Sequence, residues 1–269
     1  MLGAIIGDIV GSIYEFDNIK TKDFEFFQPE MERTDDSILC IATADWLLHG
    51  GEVSHYYSRY ALEYPYPMGG YGGMFKAWSS KVARQGIHEP YNSCGNGSAM
   101  RIAPVGWAFE TEREVLAAAE VSASCTHNHP EGIKGAQATA LCIFLARQGH
   151  TASDIRARIE RDFGYDLSMS VEELQRRYSW QGIDGKGDGG ICQDSVPQAI
   201  ICVLQAKDFE DAIRNAISIG GDSDTIGCIA GGIAEALYGI PEPIKEQAWT
   251  YLDETEGRTV RSFIQKYSI

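Results

Sequence analysis

The chain has 269 residues, 44% of them hydrophobic, and a formal net charge of −15 from 38 acidic and 23 basic side chains. This is enough apolar material for a large core in a single domain over residues 1–269. The acidic balance excludes a broad electrostatic grip on nucleic acid or on an anionic membrane, since both need basic surface.

The first apolar segment is short, interrupted by Asp8 and without a basic leader, so neither a secretory signal nor an anchor is expected there. No later stretch reaches the roughly 18 to 20 apolar residues of a membrane span. Helical periodicity runs over residues 3–16, with Gly3, Gly7 and Gly11 four apart on one face. Each interior glycine costs a helix about 1 kcal/mol relative to alanine, which implies close approach by another helix or a ligand. A second helix is predicted over 35–48, headed by Thr34-Asp35-Asp36 and stopped by Gly50-Gly51. Further helical stretches follow at 54–63, 98–109, 112–125, 131–148 and 152–162.

Two segments between them have chemical character. Ser93-Cys94-Gly95-Asn96-Gly97-Ser98-Ala99-Met100-Arg101 is a glycine-rich run entering a helix, a form that can cradle an anion with backbone amides. Thr126-His127-Asn128-His129-Pro130 joins two helices, and its histidines could cap, bind metal or touch a ligand.

Residues 163–194 read as one long irregular zone. Its stretch from Gly182 to Gly190 has Asp184 and Asp188 at the first and fifth positions of a calcium loop, but Lys186 and Ser195 break the ligand set. A mobile surface loop at the rim of a site is the expectation. Helices then resume at 195–206, 208–218, 224–238, 242–253 and 256–267. Strand alternation is absent, so the fold class is all-α.

The helix at 224–238 is headed by Gly220-Gly221-Asp222-Ser223-Asp224-Thr225. A helix cap accounts for some of this cluster and of Thr34-Asp35-Asp36, since these residue types cap well and complement the dipole. Both clusters nevertheless carry more carboxylate than a cap can use. Together they outline an all-oxygen nest for two magnesium, manganese or calcium ions. The seven cysteines form no C-x-x-C pair and lie mostly in apolar stretches, as expected of small buried hydrophobes in a reducing cytoplasm.

The order of Gly3-Ala4-Ile5-Ile6-Gly7-Asp8 through Glu15-Phe16, Thr34-Asp35-Asp36, Gly70-Tyr71-Gly72, Gly95-Asn96-Gly97-Ser98-Ala99-Met100-Arg101, Thr126-His127, Asp194-Ser195-Val196-Pro197 and Gly221-Asp222-Ser223-Asp224-Thr225 resembles the ADP-ribosylglycohydrolase family. These segments span nearly the whole chain. The resemblance implies an orthogonal multi-helix bundle with two Mg2+ or Mn2+ ions in a central cleft. Thr34, Asp35, Asp36, Asp222, Asp224 and Thr225 would be the ligands, and Glu15, Asp35 and Asp36 the catalytic residues. Ser93, Cys94, Gly95, Asn96, Gly97 and Ser98 would hold the diphosphate, His127 would approach the ADP-ribose, and Gly70, Tyr71, Gly72 and Ile191 would line the pocket.

The implied reaction cleaves distal-ribose C1″ from a protein side chain or small acceptor and releases ADP-ribose. Gly11-Ser12-Ile13-Tyr14-Glu15 is similar to the serine-directed branch. An arginine-directed hydrolase, a noncatalytic ADP-ribose binder and a two-metal phosphoester hydrolase are the alternatives. Expected partners are an ADP-ribosylated protein or a small ADP-ribose conjugate, and nothing in the sequence sets the number of subunits.

Overall fold

Helices form where apolar spacing placed them. In the computed structural model, which describes residues 1–269, they are α1 (Leu2–Gly11), α2 (Asp35–His49), α3 (Val53–Glu63), α4 (Gly73–Gln85), α5 (Gly97–Met100), α6 (Ala103–Ala108), α7 (Glu112–Ser124) and α8 (Pro130–Arg147). The second half adds α9 (Ala152–Phe163), α10 (Val171–Arg177), α11 (Cys192–Leu204), α12 (Phe209–Ser218), α13 (Ser223–Tyr238), α14 (Glu242–Ala248) and α15 (Glu254–Tyr267). The β pairing consists of two isolated bridges, Thr34 with Met68 and Gly95 with Ile191. The chain is all-α, and no helix is long and apolar enough to cross a membrane.

The differences from the expected elements have local causes. Helix α4 was missed because the apolar part of its buried stripe is only Phe75, Trp78 and Val82, between glycine-rich flanks. Helix α10 lies inside the zone read as irregular, started by a reciprocal cap between Ser170 and Glu173. The segment 98–109 is two helices rather than one. Pro104 has no N–H for the Met100 carbonyl, which accepts from Cys228 Sγ instead. The first helix stops at Gly11 and passes into a 3₁₀ turn over Ser12–Tyr14. Helix α14 likewise ends at Ala248 in a 3₁₀ turn.

One continuous apolar core joins the elements. At its centre α13, buried from Ser223 to Glu235, packs on α1, α12, α11 and α8. Its contact with the fully buried α1 is backbone to backbone. A Cβ on Gly3 would lie 2.3 Å from Gly231 O, one on Gly7 1.9 Å from Gly227 O, and one on Gly11 2.5 Å from Asp224 Cα. The glycine stripe therefore serves an antiparallel helix pair and not a ligand. The pairing sets the 3₁₀ turn that leads to Glu15 beside the start of α13.

A methyl group at Gly7 has no space to enter. Gly7→Ala should lower unfolding stability by about 3 kcal/mol or more, at the upper end of overpacking costs and despite alanine's better helix propensity. A denaturant midpoint equal to that of the parent would contradict this packing.

Candidate active site

Both acidic clusters are held from α1. Asp8, fully buried in the middle of that apolar helix, accepts from Thr34 N at 3.0 Å, Thr34 Oγ1 at 2.6 Å, Ser37 N at 3.0 Å and Ser37 Oγ. Burial raises its pKa to about 6, while these bonds pull the other way. Thr34 Oγ1 in turn accepts from Asp36 N at 3.2 Å, so one carboxylate fixes the start of α2. This role was not read from the sequence, where Asp8 stood in a quoted motif and as a break in an apolar run, with no partner assigned to it.

The second cluster is positioned by the α1–α13 contact and by Asn18. The Asn18 side chain accepts from Gly221 N at 2.8 Å and donates to Gly221 O at 2.9 Å and Tyr14 O at 2.6 Å. Gly220 and Gly221 have φ of 69° and 77°, the left-handed region that glycine enters without strain. Asn96 Nδ2 donates to Asp222 Oδ2 at 2.7 Å, which ties the glycine run to this cluster.

These elements enclose a cleft of about 590 Å³. Its wall includes Glu15, Asp35, Asp36, Asp222, Asp224 and Thr225, together with Gly70, Tyr71, Gly72, Ser93, Gly95, Asn96, Gly97 and His127. Four expected residues do not contribute to the wall. Thr34 is buried beneath it, Ser98 Oγ is turned to Gly132 O, the Cys94 carbonyl accepts from Cys192 N, and Ile191 pairs with Gly95 behind its neighbour Gly190. Phe75, Arg101 and Trp180 line the cleft without having been anticipated. Arg101 stood in a quoted motif, whereas Phe75 and Trp180 carried no signal.

The loop from Gly182 to Gly190 is tied down, contrary to the mobile loop expected. Arg177 grips Asp184 with two bonds of 3.0 and 2.7 Å, and Asp188 N donates to Asp194 Oδ2 at 2.9 Å. Gly190 O accepts from Asn96 N at 3.0 Å. Its expected place at the rim holds, since Trp180 and Gly190 line the cleft. Trp180 also donates Nε1–H to the Glu15 carbonyl at 2.8 Å and stacks on exposed Phe16.

Ligand atoms of Glu15, Asp222 and Asp224 lie within 4.8 Å of one another. Glu15 Oε2, Asp36 Oδ2 and Asp224 Oδ1 are buried and have no hydrogen-bond partner. Burial, reinforced by Asp224 and Asp8, pushes Glu15 up to about 8. Burial first and neighbouring carboxylates second raise Asp35, Asp36 and Asp224 well above the usual range. Hard oxygen donors crowded together, orphaned and short of positive charge fit divalent magnesium or manganese.

In the cation-free protein Glu15 moves from 4.5 to about 8, and Asp8 and Asp222 from 3.8 to about 6. These folded-state values are raised, so the native state binds more protons than the unfolded chain across that interval. Ion-free stability should therefore fall as pH rises from 4.5 towards 8. Magnesium or manganese at one hundred times its Kd should restore about 2.7 kcal/mol and flatten the slope. Calorimetry over this range, with and without the ion, checks both effects.

The model of the family described as ADP-ribosylglycohydrolase matches residues 1–267. Human ADP-ribosylhydrolase ARH3 is 29% identical over 329 aligned positions, covering 95% of this chain and 89% of the human protein. ADP-ribosylarginine hydrolase Tri1 of Pseudomonas putida is 27% identical, covering 93% of this chain and 73% of the bacterial protein. A solved structure described as an ADP-ribosylglycohydrolase-related protein complex shares the fold with a TM-score of 0.68 at 24% identity, covering 98% of this chain and 96% of that one.

Proposed function

The chain belongs to the ADP-ribosylglycohydrolase family, and from that premise we propose that it hydrolyses the bond between the distal-ribose C1″ of ADP-ribose and a serine side chain, releasing ADP-ribose. The observation that carries this reading is the composition of the cleft. Five carboxylates, from Glu15, Asp35, Asp36, Asp222 and Asp224, share it with a wall of glycines and neutral His127. A sugar with an anionic diphosphate needs both surfaces, one bearing cations and one free of acid side chains.

Asp35, Asp36, Asp222, Asp224 and Thr225 would hold two divalent ions, while Thr34, buried beneath them and bonded to Asp8, holds the start of α2 in place. When bound, such ions supply positive charge that keeps the carboxylates ionised, orients the ribose hydroxyls and activates water. Gly95 and Gly97 let the diphosphate approach the backbone, because neither has a side chain in the way. Phe75, Tyr71 and Trp180 screen the reacting bond from bulk water. Glu15 presents an unpartnered Oε2 next to Gly69, where a Cβ would come within 2.6 Å of it. It is the carboxyl best placed to pass a proton to the departing serine oxygen or take one from the attacking water, across an oxocarbenium-like transition state.

The serine preference rests on the sequence from Gly11 to Glu15, and the likeness to Tri1 makes arginine the competing acceptor. Serine-linked, arginine-linked and O-acetyl ADP-ribose, each offered with magnesium, should separate them by release of free ADP-ribose. Serine is expected to react fastest, and preferential release from arginine would reverse the assignment. Retention without release would make the protein a binder. Asp224→Asn should abolish release on every substrate while the helical signal persists.

Glu15→Gln should lower kcat by about 100-fold or more, with ADP-ribose affinity changed by less than about threefold. Calorimetry showing affinity lost in step with rate would make Glu15 a ligand-holding residue instead.

A further inference from the structure

Arg101 is the largest fully buried side chain in the protein and has no carboxylate partner. Its guanidinium carbon sits 4.0 Å from the Tyr57 ring centroid. Nη2 donates to Ser122 O and to Thr126 Oγ1, each at 2.8 Å, while Nε and Nη1 have no partner. A guanidinium left uncompensated in this way is costly unless it serves its neighbours. Those neighbours lead to the cleft.

Thr126 Oγ1 lies 2.7 Å from His127 Nδ1. Arginine can only donate, so Thr126 uses a lone pair for Arg101 and keeps its proton for another acceptor. Nδ1 is the nearest one. A ring nitrogen that accepts must lack a proton, so a neutral ring taking this bond from Thr126 carries its own proton on Nε2. The ring is neutral, since burial and then the charge of Arg101 hold its pKa well below the ordinary imidazole value. Nε2 faces the glycine wall: a Cβ on Gly97 would lie 3.1 Å from it, and one on Gly95 3.5 Å. It makes no hydrogen bond within the protein and looks into the cleft.

We propose that Arg101, acting through the Thr126 hydroxyl, is a positioning residue that fixes His127 as the neutral Nε2–H tautomer and aims that N–H at the anionic part of the bound ligand. The ligand's identity rests on the reading of the cleft as an ADP-ribose site, but the tautomer does not. The relay gives an acidic protein a directed donor for phosphate that needs no proton uptake and attracts no carboxylate. It also places the only arginine of the cleft wall behind the contact, where its charge adds to the attraction without a competing salt bridge.

Nitrogen NMR of the ion-free protein with 15N-labelled histidine, at neutral pH, tests the relay directly. His127 should show a protonated Nε2 and a hydrogen-bonded, unprotonated Nδ1. In Thr126→Val the Nδ1 resonance should move to the position of an unbonded ring nitrogen, and in Thr126→Ser it should stay. ADP-ribose binding should weaken about tenfold in Thr126→Val, the loss of one aligned hydrogen bond to a charged group, and stay within about threefold of the parent in Thr126→Ser. An Nδ1–H tautomer, with the Thr126 hydroxyl turned to the Tyr91 phenol that also approaches it, overturns the proposal. So does an imidazolium, or an Nδ1 resonance that is the same in both variants. A parent protein with the expected tautomer but no affinity for ADP-ribose would leave the relay standing and refute the ligand.

Discussion

The site depends on the meeting of two bare helix backbones. Gly3, Gly7 and Gly11 of α1 lie against Gly231, Gly227 and the Ser223–Asp224 peptide of α13, at distances that no side chain could share. The energy of that contact is dispersion and exclusion of water, with almost no side-chain entropy lost. Its geometric effect is larger than its energy. One end of α1 delivers Glu15 to the first turn of α13, and the middle of α1 offers Asp8 as a clamp for the first turn of α2. A single short helix thus registers two carboxylate clusters that are far apart in sequence.

That architecture puts like charges where they repel. Asp8 meets the problem with four donors, but Asp36, Asp224 and Glu15 each keep an orphaned oxygen. In water-poor surroundings such groups either take up protons or attract cations. On the proposed function the same cleft admits a diphosphate to a chain of net charge −15. Lysines in the wall would pair with the carboxylates and block both tasks. The wall instead presents glycine backbone and an uncharged imidazole, with the one arginine withdrawn behind them, so attraction for an anion comes without a side chain that the acids could capture.

Much of this was legible in the chain. Glycines repeating every four residues announced a close approach, and acids doubled beyond the needs of a cap announced a crowded cluster of carboxylates. Helix α13 and the ends of α2 were read almost to the residue, because long apolar periodicity and positive-φ glycines leave little choice. What stayed hidden was the work of residues whose partners are remote. Asp8 is a lone acid in an apolar run until Thr34 and Ser37 fold onto it, and Trp180 is an aromatic in a glycine-rich loop until its N–H finds the Glu15 carbonyl. Helix α4 escaped for a different reason: three apolar residues on one stripe are enough for a helix that packs at the edge, yet too few to raise its pattern above the neighbouring glycines.

The wide sequence separation of the α1 and α13 glycines has a kinetic side. Contacts between segments more than 200 residues apart close late, because the entropy of bringing them together must be met before they stabilise anything. A chain emerging from the ribosome carries its first acid cluster long before the second exists, and α1 meanwhile lacks the surface it was shaped to cover. A half-made chain therefore carries only the first half of the carboxylate cluster. The helix that organises the acidic cleft is thus among the last to find its permanent place.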